Sequence, residues 1–169
     1  MNILVCIKQV PDTTEIKIDP VKHTLIREGV PSIVNPFDAC ALEMAVRLKE
    51  KEGGKVIVIS MGPAQAKNAL KECLAVGADQ AFLVTDRAFG GSDTLATSYI
   101  LSRAIAAVEA KTGEKFDLIF CGKQAIDGDT AQVGPEIAEH MDLPHVTLAT
   151  AVEMADGKLH VTRDTDEGH

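Results

Sequence analysis

The stretch that decides the fold covers residues 116–135 and reads FDLIFCGKQAIDGDTAQVGP. Its first six residues form an apolar run that is typical of a buried parallel strand. Gly122, Gly128 and Gly134 punctuate the loop that follows, and a short helix is predicted from Pro135 to Met141. Open α/β sheets bind nucleotides at such loops, between the carboxyl end of a strand and the amino end of a helix. The stretch therefore predicts a nucleotide- or flavin-binding module.

Apolar runs alternate with helical segments over the whole chain and predict one α/β domain covering residues 1–169. Core strands are predicted over residues 2–8, 55–60, 80–84 and 116–121, with helices starting near residues 36, 64, 93 and 135. Because each connection is long enough for a right-handed crossover, we expect a doubly wound, mostly parallel sheet of the adenine-nucleotide-binding, Rossmann-like type. At the first helix, Asn35 is predicted to cap and Pro36 to occupy the first helical position.

Smaller elements are predicted outside this sheet. The pieces 15–18 and 24–27, divided by Asp19-Pro20, predict a small hairpin, and residues 146–148 predict a short strand. Asp156-Gly157 stands between two β-branched runs, 151–154 and 159–162, and such a dipeptide is a hairpin signal. We therefore expect a small antiparallel hairpin near the C-terminus.

Composition excludes several classes of protein. The net charge of −8 argues against a surface for nucleic acid or an anionic membrane. No apolar stretch approaches the roughly 20 residues of a membrane span and no signal peptide precedes the first strand, so a cytoplasmic location is expected. The four cysteines show no CxxC spacing, which excludes zinc and iron–sulfur motifs. They are expected to be buried, reduced thiols.

Several enzyme motifs are absent from the sequence. There is no GxxxxGK[ST] phosphate loop, and no GxGxxG follows the first strand. The GGSD run at residues 90–93 lacks the closing glycine of a nucleophile elbow, so it is interpreted as a loop with a helix cap. Asp127-Gly128-Asp129 lacks the glycine that an EF-hand loop needs further along. Neither a catalytic residue nor a metal site is predicted.

Four loops, covering residues 6–12, 31–38, 60–63 and 122–134, follow or flank the carboxyl ends of the predicted strands and should line a single crevice. Asp127 and Asp129 would repel a pyrophosphate there, so they are expected to point away and cap local N–H groups or to bind a ribose hydroxyl. A capping box between Asp129 and Gln132 is the structural alternative. Lys8 is either a charge beside a phosphate or flavin edge, or a solvated lysine at a strand end.

Long ordered motifs give the chain a family resemblance. It resembles, over essentially its full length, the beta subunit of electron-transferring flavoproteins, in particular of the electron-bifurcating type. The motifs are LVCIKQVPD (4–12), VNPFDACALEMAVRLKE (34–50), MGPAQ (61–65), CLAVGAD (73–79), DRAFGGSDTLATS (86–98) and GKQAIDGDTAQVGPEIAEHMDLP (122–144).

The resemblance implies a cofactor and partners. The site would hold FAD, with AMP as the alternative found in housekeeping members, and the small Gly128, Thr130 and Ala131 resemble the FAD-holding subgroup. NADH would be the electron donor, and the electrons would pass to ferredoxin or flavodoxin and, through an alpha subunit with its own FAD, to an acyl-CoA dehydrogenase. Lys123, Asp127 and Thr130 are the strongest candidates for cofactor contacts. By position, the family's contacts fall on Cys6, Asn35, Pro36, Phe37, Asp38, Met61, Lys123, Gln124, Ala125, Ile126, Asp127, Gly128, Asp129, Thr130, Ala131, Gln132, Val133 and Gly134.

The family pattern continues beyond Arg163 with further strands and a C-terminal arm, whereas this sequence stops at His169. We therefore expect a domain that lacks the arm and whose uncovered apolar surface favours self-association. The chain is expected to be an electron-carrier subunit that is not catalytic alone. The alternatives are a housekeeping carrier with structural AMP and an adenine-nucleotide-binding module of the universal-stress type with no redox role.

Overall fold

The computed structural model describes residues 1–12, 17–18, 25–26, 31–166 and 168. Its regular elements alternate as the sequence predicts. The strands are β1 (Asn2–Cys6), β2 (Gln9–Pro11), β3 (Lys17–Ile18), β4 (Leu25–Ile26), β5 (Ser32–Val34), β6 (Lys55–Met61), β7 (Gln80–Val84), β8 (Leu118–Cys121), β9 (Ala149–Ala155) and β10 (Lys158–Arg163). The helices are α1 (Pro36–Glu52), α2 (Lys67–Ala75), α3 (Thr94–Thr112) and α4 (Val133–His140).

The central sheet is parallel and four-stranded, in the order β7-β6-β1-β8. The first strand of the chain therefore lies in the interior, and the order changes direction on either side of it. Its last residue, Cys6, is paired in register with Ile59 of β6 and with Cys121 of β8. The carboxyl ends of the strands consequently meet at one edge of the sheet, where doubly wound folds bind ligands. The predicted fold class is confirmed.

Helices cover both faces of this sheet. Ile3 and Val5 point to the face covered by α1 and α2, whereas Leu4 and Ile57 point to the face covered by α3 and α4. This follows from the alternation of side chains along a strand. Both layers are filled mainly with aliphatic side chains. None of the helices in the described part of the chain is long and apolar enough to cross a membrane.

The helix limits agree with the sequence signals at α1 and α3 but differ at the starts of α2 and α4. Helix α2 begins at Lys67, because the predicted start, Ala64–Ala66, forms a separate 3₁₀ turn. Asp93 caps α3 by accepting a hydrogen bond from the Ala96 N–H over 2.8 Å, and Gly53 follows the last residue of α1. Helix α4 begins at Val133, two residues before the predicted start at Pro135. Proline is tolerated anywhere in the first turn, because the N–H groups there have no partner within the helix. The position of Pro135 thus marks the first turn but does not define its first residue.

The small antiparallel elements are confirmed in part. Strands β9 and β10 pair as predicted, and Asp156 and Gly157 both take positive φ angles, 52° and 72°, as a type I′ turn requires. Strands β3 and β4 also pair, while Asp19-Pro20 lies outside the described residues. The strand predicted at residues 146–148 is wrong, because Leu148 takes a φ of 58° that interrupts extended backbone. Pairing of β2 with β5 was not predicted.

Truncation of a central sheet residue should test the core. Ile57 lies fully buried in the middle of β6, so Ile57→Ala should lower the free energy of unfolding by about 2–5 kcal/mol through lost burial and a cavity. The control is Val76→Ala, whose side chain is 62% exposed and which should change stability by no more than about 0.5 kcal/mol. Urea denaturation of both variants gives the comparison, and equal losses would contradict the described packing.

Candidate functional site

A cavity of about 1060 Å³ opens at the carboxyl ends of the four parallel strands. Its walls come from the end of β1, from the loops after β6, β7 and β8, and from the starts of α1, α3 and α4. The crevice predicted from topology is therefore present, and all four predicted loops contribute to it. We call this cavity the crevice.

The structure brings most of the predicted site residues to the crevice. The predicted residues that line it are Cys6, Asn35, Asp38, Met61, Lys123, Gln124, Ala125, Gly128, Thr130, Ala131, Gln132, Val133 and Gly134. The remaining ones are not part of its lining; they are Pro36, Phe37, Ile126, Asp127 and Asp129.

One wall of the crevice was missed by the sequence reasoning. It is formed by the loop after β7 and the first turns of α3; its residues are Thr85, Asp86, Arg87, Phe89, Gly90, Gly91, Ser92, Asp93, Thr94, Thr97 and Leu101. The position of this loop could have predicted the wall, because the loop also follows the carboxyl end of a parallel strand. The GGSD run predicts a loop and a helix cap, and capping does not prevent the same residues from lining a cavity.

Asn35 joins the start of α1 to the loop after β8. It occupies the predicted N-cap position but its side chain makes no capping bond. Instead its Nδ2 donates to the Gln124 carbonyl over 2.8 Å, and its Oδ1 accepts from the Ile126 N–H over 3.2 Å. The side chain is 1% exposed, so these bonds satisfy an otherwise buried amide. The capping expectation is wrong because the amide finds two partners across the crevice.

The carboxylate of Asp38 lies at the bottom of the same junction. It accepts a hydrogen bond from the Lys8 N–H over 2.7 Å, and the Gly122 N–H donates to it as well. Burial raises the pKa of Asp38 from 3.8 to about 6, although hydrogen bonds from Lys8, Asn35 and Gly122 act in the opposite direction. Asp38, which is one of the positions predicted to contact the cofactor, therefore links the ends of two strands to α1.

Gly122 allows the loop after β8 to approach α1 this closely. A Cβ atom at this position would lie 2.7 Å from both the Asp38 backbone nitrogen and the Phe37 carbonyl carbon. Contacts this short with backbone cannot be relieved by a change of rotamer. The space around Gly134, at the start of α4, is less restricted. A Cβ atom at this position would lie 3.2 Å from the Cys121 Cβ.

The two acidic residues of the loop are paired within the protein. The Lys8 ammonium donates to the Asp127 carboxylate over 2.5 Å, and the Gln124 side-chain amide donates to Asp129 over 2.7 Å. The capping box between Asp129 and Gln132 is not formed, because α4 begins after Gln132 and Asp129 has a φ of 55°. The alternative in which both carboxylates point away from the ligand space is the one supported by this geometry.

The backbone of the loop is held in an unfavourable conformation. Asp129 and Ala131 take φ angles of 55° and 54°, values that L-residues other than glycine seldom adopt and that cost about 1–2 kcal/mol each. Such conformations persist where surrounding bonds fix them, and they cluster at ligand-binding sites. In this loop the surrounding bonds are the hydrogen bonds of Asn35 and the ion pair between Lys8 and Asp127.

The lining of the crevice offers several groups that can bind a ligand. In the described part of the chain its lining includes no histidine and no serine–base pair. It offers instead backbone N–H groups near glycines, the hydroxyl of Thr97, and the amino end of the 19-residue helix α3. These groups can bind an anionic, elongated ligand.

Substitution of the two loop glycines should separate their roles. Gly122→Ala forces backbone overlap with α1 and should lower the free energy of unfolding by about 2–4 kcal/mol. Gly128→Ala is the matched control, because its Cβ would meet nothing within 4 Å and the change should stay within about 0.5 kcal/mol. Urea denaturation measures both. A Gly122→Ala variant as stable as the control would refute the close approach of loop and helix.

Asp38 should make stability depend on pH. Its folded-state pKa of about 6 lies above the unfolded value of 3.8, so the folded state binds more protons between these values. The free energy of unfolding should therefore fall as pH rises from about 4 to about 6, by about 3 kcal/mol from this group. Asp38→Asn should remove that slope. Urea denaturation at several pH values tests this, and parallel curves for wild type and variant would contradict it.

Comparison with known proteins places the chain in a family. The family model described as "Electron transfer flavoprotein domain" matches residues 22–169. This chain is 61% identical over 169 residues to the electron transfer flavoprotein subunit beta of Thermoanaerobacterium thermosaccharolyticum. It is 59% identical over 169 residues to the corresponding subunit of Clostridium acetobutylicum. The caffeyl-CoA reductase-Etf complex subunit CarD of Acetobacterium woodii is 55% identical over 170 residues.

Each of these alignments covers 100% of this chain and 63% of the relative. The chain thus spans less than two thirds of the length of these relatives. The match of the family model covers most of the chain, and the identity to these relatives is high throughout. The chain belongs to the electron transfer flavoprotein family, within the group of its beta subunits.

Proposed function

We propose that the crevice holds FAD and that the protein carrying it is a bifurcating electron carrier. NADH is the proposed electron donor. The proposed acceptors are ferredoxin or flavodoxin and, through the FAD of an alpha subunit, an acyl-CoA dehydrogenase. The observation that carries the proposal is the size of the crevice in a chain of this family. The other features that support it are the pairing of the acidic side chains and the wall formed by α3.

The size of the crevice favours a dinucleotide. Its volume of about 1060 Å³ lies slightly above the roughly 300–1,000 Å³ typical of small-molecule sites. The region around Asn35 and the loop after β8 makes up one part. The residues from Thr85 to Thr97 extend the space toward α3. AMP is only the adenylate half of FAD, so it would leave one of these parts unfilled.

The pairing of Lys8 with Asp127 also favours a pyrophosphate, because it neutralises a carboxylate of the loop that is not part of the crevice lining. Lys123 and Thr130 do line the crevice and remain the proposed side-chain contacts. For Asp127 the proposal changes, because its contact with Lys8 gives it a positioning role.

The protein's part in the reaction is to place the cofactor and to tune its surroundings. When bound, FAD supplies the redox chemistry, acceptance of a hydride from NADH and delivery of single electrons. The chain's residues fix the loop through Asn35, exclude water with aliphatic side chains such as Leu101, and offer N–H and hydroxyl donors at the amino end of α3. No residue of this chain is proposed to be catalytic.

A housekeeping carrier with structural AMP is the second candidate. It is favoured by the concentration of anchoring bonds around Asn35, Asp38 and Gly122, at one end of the crevice. Membership of the electron transfer flavoprotein family favours either carrier over a universal-stress-type module. Self-association of the chain stays a prediction.

The proposed partners follow from the relatives. The name of CarD places that protein in a complex with a caffeyl-CoA reductase, a name that fits an acyl-CoA dehydrogenase as the partner here. An alpha subunit is proposed because matched relatives are named as beta subunits. A cytoplasmic location is proposed with them.

A variant that narrows the α3 end of the crevice should distinguish FAD from AMP. Thr97 lines this end, so Thr97→Leu should overpack it and weaken FAD binding about tenfold, the equivalent of about 1.4 kcal/mol. AMP affinity should not change. The control is Leu95→Ala, on the same helix but 60% exposed. Equilibrium dialysis with each nucleotide measures the affinities.

Coexpression with a cognate alpha subunit gives the second measurement. Two FAD per heterodimer would support the proposal, whereas one FAD and one AMP would establish the housekeeping alternative.

In the dialysis experiment, an equal loss of affinity for FAD and for AMP in Thr97→Leu would contradict the assignment of the α3 end to the second half of a dinucleotide.

A further inference from the structure

Two free cysteines face each other at the floor of the crevice. Cys6 and Cys121 are the last residues of the neighbouring strands β1 and β8 and are partners in the register of that pair. Both side chains belong to the layer between the sheet and helices α3 and α4. Both also line the crevice. Cys40 is exposed and Cys73 is buried among residues of the opposite face, so neither is part of this pair.

We propose that Cys6 and Cys121 are a dithiol site at which small disulfide oxidants that enter the crevice form an intrachain disulfide. Neighbouring strands lie about 4.8 Å apart, which is within the 4.4–6.8 Å between Cα atoms that disulfides span. A disulfide also requires Cβ atoms about 3.5–4.5 Å apart, and residues in register on neighbouring strands need only a small shift to reach that range.

The two thiols already interact. A hydrogen bond with the Cys121 thiol and burial raise the pKa of Cys6 well above its ordinary value, and the nearby Asp38 carboxylate adds to this. Cys6 is 9% exposed, whereas Cys121 is only partly buried. Cys121 is therefore the thiol that an oxidant in the crevice reaches first, and Cys6 is placed to react second.

The reaction is a pair of thiol–disulfide exchanges. The Cys121 thiol loses its proton to water, which later protonates the second thiolate released. The Cys121 sulfur then attacks one sulfur of the small disulfide, breaks its S–S bond and releases one thiolate, leaving a mixed disulfide on Cys121. The Cys6 thiol gives its proton to the released thiolate, and its sulfur attacks the Cys121 sulfur. A Cys6–Cys121 bond forms as the second small thiolate leaves. The protein loses two electrons and two protons, and the small disulfide gains them as two thiols.

A ligand in the crevice should protect both thiols. Cys6 and Cys121 form part of the lining. Gly134, at the start of α4, lies against Cys121, since a Cβ atom added to this glycine would be 3.7 Å from the Cys121 sulfur. The route to the sulfurs therefore runs through the ligand space. This protection rests on the proposed function, whereas the disulfide itself does not.

The first experiment uses the ligand-free chain with 2,2′-dithiodipyridine as the disulfide. Cys40→Ser removes the exposed thiol from the background. The expected product is a peptide linking Cys6 to Cys121 in mass spectrometry, with two thiopyridones released and no label retained. In Cys6→Ser, Cys121 should release one thiopyridone and keep its label. A label retained on both cysteines, or no reaction at either, would overturn the proposal. Because the peptide map is made on the protein with both thiols intact, it does not depend on the folding of Cys6→Ser.

The second experiment repeats the reaction with FAD or AMP, after dialysis has given each affinity. At a concentration about tenfold above Kd the rate should fall about tenfold, because only the empty crevice reacts. A bound nucleotide that gives no protection would overturn the placement of the dithiol in the ligand space. If neither nucleotide binds, the proposed function is contradicted, and the ligand-free result alone decides the dithiol.

Discussion

The crevice depends on the close contact between the start of α1 and the ends of β1 and β8. The Asp38 carboxylate accepts hydrogen bonds from the backbone of Lys8 and Gly122, and the absence of a side chain at Gly122 lets the two elements approach. Burial makes this contact costly for a charged group, as the raised pKa of Asp38 records. The contact nevertheless fixes where the segments after β1 and β8 begin. The residues further along the loop after β8 take their positions from it.

From this junction the loop is held at successive points. Asn35 bonds to Gln124 and Ile126, and Lys8 pairs with Asp127. These contacts offset the unfavourable φ angles further along the loop, and they turn the acidic side chains away from the ligand space. A rigid, partly strained loop of this kind keeps its backbone donors in place before a ligand arrives, which lowers the ordering cost of binding.

Local signals predicted the sheet well, because a strand buried on both faces requires a continuous apolar run and a helix requires breakers at its ends. The runs that became β1, β6, β7 and β8 are of this kind. The signals failed where a residue had two possible partners. From the sequence alone, Asn35 could equally well cap a helix or form hydrogen bonds to another loop. Pro135 is acceptable at several positions of a first helical turn. The strand expected at residues 146–148 failed because a φ angle of 58° at Leu148 is not visible in an apolar triplet.

Sequence patterns were enough to predict the fold class, the edge of the sheet where the crevice opens, and the loop after β8 as part of its wall. These predictions follow from the alternation of strands and helices and from motifs that are continuous in the chain. The three-dimensional structure was needed to show that the loop after β7 forms another wall, that Lys8 meets Asp127, and that Cys6 faces Cys121. These residues are far apart in sequence, so their contacts depend on strand register and on the distance between elements, and neither quantity is encoded in a local pattern.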